Sequence, residues 1–146
     1  LDYLADKFPD KRLWPADLKA RGHARAIASE MHAGFAPLRQ HCPMNMRRDR
    51  GKPRELTPQV QANVDRIDAI WTATRARFGS AGPFLLGAFS NADAMYAPVV
   101  SRFASYGIPV STASQSYMSA MMALPAWKEW EEAGRVEPMV MAGNEV

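Results

Sequence analysis

Three histidines, His23, His32 and His41, stand nine residues apart, a spacing that invites a metal site. On one continuous helix nine steps rotate by about 900°, so successive imidazoles point to opposite faces, and His23 and His41 share a face but lie about 27 Å apart along the axis. No metal is expected from this set. Cys42 follows His41 directly, yet neighbours on a chain do not make a nucleophile–base pair; a free, partly buried thiol is the expectation. The glycines of GSAGPFLLG lack the Lys-Ser/Thr of a phosphate loop and follow no strand pattern. Ser90 has no nucleophile-elbow context. Ser90-Asn91-Ala92-Asp93 reads instead as a capping box, the serine hydroxyl accepting from the Asp93 amide while the Asp93 carboxylate reaches back to the Ser90 amide.

A more informative set surrounds His32. With Arg25 as the origin, helical steps place Ser29 at about +40°, His32 at about −20°, and Arg21 and Arg39 near −40°. Ile27, Met31, Phe35 and Leu38 fall in a separate sector near 240° on the same scale. One helix thus carries an apolar stripe and a distinct basic row. Such a row is either a solvated face or a surface that meets an anionic ligand or a partner subunit.

The elements that must hold these residues are helical throughout. Asp17 caps a helix expected from Ala16 to about His41, closed by Cys42-Pro43. Thr57-Pro58 starts a second, along which Val60, Val64, Ile67, Trp71 and Phe78 share one side before Gly79 ends it. A third is expected from Ser90 to about Tyr106, a fourth from about Thr112 to Ala123, and a short one after Pro125. No alternating run argues for a strand, so the fold class is all-α.

At 146 residues and 47% hydrophobic, the chain supports one core and is too short for two. No apolar run is long enough to span a membrane. A single cysteine excludes an internal disulfide framework and a cysteine-only zinc site. No secretory signal pattern is visible, so a reducing, cytoplasmic setting is expected. The first residue is Leu1, already inside a helical pattern, and the chain reads as a piece of a longer protein. The net charge of +3 hides an asymmetry: residues 1–78 carry 15 Lys and Arg against 9 Asp and Glu, and residues 79–146 carry 3 against 6. Much of the excess lies between Arg47 and Arg54. That run is broken by Gly51 and Pro53 and has no interleaved aromatics, so a solvated interhelical loop is expected there rather than a nucleic-acid surface.

Three segments carry a family resemblance. FLLGAFSNADAMYAPV resembles the start of the sixth helix of glutathione transferases, with its Ser-x-x-Asp box and following proline. ASEMHAGFAPLR resembles the fourth helix of the bacterial beta class, with Glu30, His32, Gly34, Phe35, Pro37 and Leu38 in place. LDYLADKFPDKRLWP resembles the end of the thioredoxin-like domain's last helix plus the interdomain linker. The resemblance implies a glutathione-transferase C-terminal helical bundle over residues 16–146, with residues 1–15 as helix end and linker. It implies a parent enzyme that conjugates or exchanges glutathione on apolar electrophiles, with no metal. This segment would supply the floor of the electrophile pocket and a homodimer face. The thiol-activating residue would lie in the thioredoxin-like half, so the segment alone should not catalyse.

By the same resemblance His32 matches the beta-class active-site histidine, and Arg25, Ser29, Phe35 and Arg39 are candidates for substrate or glutathione binding. Ser90 and Asp93 carry a folding role. Ala33 stands where beta-class members often have a basic residue, and a serine-based bacterial relative fits equally. The rival reading is a non-catalytic transferase-like helical domain that docks partner proteins.

Overall fold

The computed structural model describes residues 1–48, 50 and 52–144. Among them are seven α-helices: α1 (Asp2–Lys7), α2 (Leu18–Ala33), α3 (Ala36–His41), α4 (Pro58–Phe78), α5 (Asn91–Ser105), α6 (Thr112–Ala123) and α7 (Pro125–Val136). Only isolated bridges, Phe84 to Gly87 and Leu86 to Ala88, interrupt the all-α architecture among the described residues. Helix α2 packs on α5, α3 on α4, and α6 on α4, α5 and α7.

The first long helix is two helices, which corrects the expectation of one run from Ala16 to His41. Pro37 has no N–H for the Ala33 carbonyl, and in a continuous helix its ring would collide with that carbonyl. The chain turns instead at Gly34 and Phe35. The Gly34 amide donates to the Glu30 carbonyl at 2.8 Å, and a Cβ on Gly34 would lie 2.8 Å from the same oxygen. Phe35 takes a left-handed conformation, φ 60°, which a non-glycine residue adopts only when its surroundings hold it; here its ring is buried in the core. Asp17 caps α2 as expected, accepting from the Ala20 amide at 2.8 Å.

The core centres on Trp71 of α4, fully buried against Tyr96 and Phe103 of α5 and Tyr117 of α6, with ring centroids 5.7, 5.5 and 4.9 Å away. The α4 stripe of Val60, Val64, Ile67 and Trp71 faces this cluster, while Phe78 is only partly buried and stacks on His23 at 5.2 Å.

The start of α5 is the most heavily bonded helix end. Both arms of the Ser90–Asp93 capping box are present. In one arm the Asp93 carboxylate accepts the Ser90 amide at 2.8 Å; beyond the box it accepts the Ser90 hydroxyl at 2.9 Å and the Leu85 amide at 3.0 Å. Burial pushes its carboxyl up, against the pull of these donors. The Tyr117 hydroxyl lies near the carboxylate but outside hydrogen-bond geometry. The Asn91 amide donates to the Leu13 carbonyl at 2.8 Å, which ties the N-terminal connector to the same point.

Candidate functional site

One face of α2 opens onto a cleft of about 490 Å³. Its floor is apolar, made by Trp14, Ala28, Ala33 and Met95; Arg25, Ser29 and His32 stand around it. These three come to one place because positions 25, 29 and 32 are one helical turn apart. Ala24, Ile27 and Met31 bury another sector of α2, which packs on α5, and fix the rotation of the helix.

The three histidines separate by environment. The His23 ring bonds the Thr74 hydroxyl at 2.7 Å, joining α2 to α4, and burial followed by the Arg77 charge lowers its pKa. The His41 ring bonds the Glu55 carbonyl at 2.8 Å. His32 is exposed at the cleft, and its ring meets no hydrogen-bond partner among the described residues. No group of three His, Cys, Asp or Glu suited to a metal occurs among the described residues.

The basic row does not survive as one surface. Arg39 leaves it because the helix breaks before residue 36. Its guanidinium donates to the Gly34 carbonyl at 2.7 Å and the His32 carbonyl at 3.3 Å, satisfying the open C-terminal end of α2. Phe35 turns into the core, away from the cleft lining. Arg21 donates to the carbonyls of Pro15 and Ala16 at 2.8 and 3.1 Å and fastens the connector. Arg25 alone stays at the cleft, paired with Asp2 at 2.9 Å and set over the Trp14 ring. The same Asp2 oxygen accepts the Trp14 indole N–H at 2.9 Å. Asp2 is the site residue that pattern reading missed, since nothing in helical spacing relates positions 2 and 25.

The loop after α3 is more engaged than a solvated connector. Arg48 donates to the Lys52 and Ser105 carbonyls and lies over the Tyr106 ring at 4.3 Å, and Arg50 pairs with Glu131. Gly51, counted above among its breakers, lies outside the described residues. Cys42 is fully buried, and burial raises its thiol pKa.

The helical order, the capping box at the head of α5 and the buried α4 stripe agree with a match over residues 54–133 to the family described as Glutathione S-transferase, C-terminal domain. The chain belongs to this family. No curated protein matches it. The matched span begins just before α4, ends within α7 and includes Ser90, Asp93 and the cleft residue Met95; α2, with Arg25, Ser29 and His32, precedes it. No helix among the described residues is long and apolar enough to cross a membrane.

Proposed function

We propose that this chain is the helical half of a cytoplasmic glutathione transferase whose parent conjugates or exchanges glutathione on apolar electrophiles. The observation that carries the reading is the His32 ring, without a hydrogen-bond partner among the described residues, beside Ser29 and the Arg25–Asp2 pair, above an apolar floor in a cleft of about 490 Å³. An apolar electrophile suits Trp14, Ala28 and Met95. The carboxylates of glutathione suit the donors around them. Arg25 is partly neutralised by Asp2, so His32 is the donor most available to a ligand. An imidazole can donate a hydrogen bond in either protonation state. The thiol itself would be activated by a residue of the thioredoxin-like half. Exposed apolar residues of the N-terminal segment, among them Tyr3, Leu4 and Phe8, suit a face that such a half would cover.

The docking reading gains less support, because arginines 48 and 50 of the basic loop are bonded within the chain. The test is His32→Ala in the full-length parent. Turnover with glutathione should fall about tenfold or more, equivalent to about 1.4 kcal/mol of transition-state stabilisation, with little change in the melting temperature. Unchanged turnover and glutathione affinity would leave His32 without a role in the reaction.

A further inference from the structure

Away from the cleft on α2, the chain contains two Pro-Met-x-Met segments, residues 43–46 and 138–141, and the fold brings them together. Met44, Met46, Met139 and Met141 all line a single cavity of about 340 Å³ against α7. Three long-range bonds hold the segments there. Arg47 donates to the Glu137 and Met139 carbonyls at 2.9 and 3.4 Å, and Asn45 donates to the Asn144 carbonyl at 3.2 Å. Gly134 of α7 leaves room for Met46, whose Cγ would lie 2.8 Å from a Cβ at that position.

Core packing does not account for Met44, Met139 and Met141, while Met46 is half-buried. Met44, Met139 and Met141 are 38, 72 and 63% exposed, whereas Met31, Met118 and Met121 do the filling inside. Exposed apolar side chains scattered singly are ordinary; four thioethers gathered on one cavity from segments 95 residues apart are a concentration of one ligand type. Thioether sulfur is neutral, polarizable and soft, and it selects soft cations such as Cu(I) over hard ones. The charged residues lining the cavity, Arg47 and Glu137, are of opposite sign, so no net positive wall repels a monovalent ion. The Met141 sulfur accepts from Asn144, itself a lining residue, at 3.7 Å, and the Met46 sulfur accepts from Ser101, outside the lining, at 3.6 Å.

We propose that the paired Pro-Met-x-Met segments form a thioether site for one soft monovalent cation of the Cu(I) or Ag(I) class. The site is independent of the glutathione reading. Ag(I) alone is the probe, because it needs no reductant. The full chain carrying ¹³C-methyl methionine is titrated with silver nitrate in chloride-free buffer and followed by NMR. The expected result is a shift of the methyl signals of Met44, Met46, Met139 and Met141 that saturates at one equivalent, with those of Met31, Met118 and Met121 unmoved. The response should persist in Cys42→Ala, which removes the competing thiol. Affinity should fall at least about tenfold in the double variant Met44→Leu/Met139→Leu, whose exposed positions leave the melting temperature in place. Three results would overturn the proposal: the four methyls do not move, which would leave the cavity an apolar docking groove; binding disappears with Cys42; or the leucine variant binds as tightly as the parent chain.

Discussion

Replacing Asp93 by alanine removes a carboxylate that bonds three donors, in a side chain with no exposure to water. A capping box read from the sequence alone predicts a loss of about 1–2 kcal/mol. The structure raises that figure, because the third donor is the amide of Leu85, in the loop before the helix, and Leu85 is itself fully buried. The variant therefore strands two backbone amides, those of Leu85 and Ser90, where water does not replace the lost acceptor. Each orphaned buried donor costs about 1–3 kcal/mol, so the total should lie between about 2 and about 6 kcal/mol. Ser90→Ala is the internal comparison. It leaves the Leu85 and Ser90 amides bonded to Asp93 and removes the hydroxyl together with its bond from the Asp93 amide, at a cost of about 1 kcal/mol. Urea denaturation followed by tryptophan fluorescence is a suitable assay, since Trp71 lies in the core that α5 packs against. A loss below 1 kcal/mol for Asp93→Ala at unchanged slope, or equal losses for the two variants, would refute the argument that the carboxylate joins loop to helix.

Gly22 sits inside α2 with nothing within 4 Å of an added Cβ, so Gly22→Ala should stabilise the chain by about 0.5–1 kcal/mol, seen as a higher urea midpoint. Burial, then the Arg77 charge, hold the His23 pKa below its usual 6.5, so the unfolded state binds more protons between the native value and 6.5. Stability from this site is therefore present above pH 6.5 and lost as the pH falls through 6.5 toward the native value, and His23→Gln should flatten that part of a melting-temperature profile. Arg66 forks onto Glu30 at 2.7 and 2.9 Å on an open surface, so Arg66→Ala should cost less than about 1 kcal/mol in denaturant melts despite the good geometry. The parent protein should sediment as a two-fold dimer at micromolar concentration, and a strictly monomeric mass would count against the family-based expectation for the surfaces of α2 and α4.

Local chemistry was enough to read most of the elements. Asp17, Thr57 and Ser90 announce helix starts because their side-chain oxygens answer amides two or three residues on, and all three cap helices here. The apolar period of α4 likewise announces its buried side, since a 3.6-residue repeat and a core on one side leave one solution. The same reasoning overran at α2, where periodicity continued through Pro37 while the backbone could not, and with that break Arg39 passed from a ligand row to a helix end.

Partnership across long separations was decided only by tertiary structure. Spacing on a helix says that Arg25, Ser29 and His32 share a face, but not that Asp2 takes the arginine, nor that His23 and His41 find Thr74 and Glu55 while the His32 ring finds no partner among the described residues. The meeting of residues 43–46 with residues 138–141 is of the same kind. The physical reason is range: caps and turns are settled by groups within four residues of each other, whereas a contact between residues 23 or 95 positions apart exists only after the core around Trp71 has fixed where each helix lies.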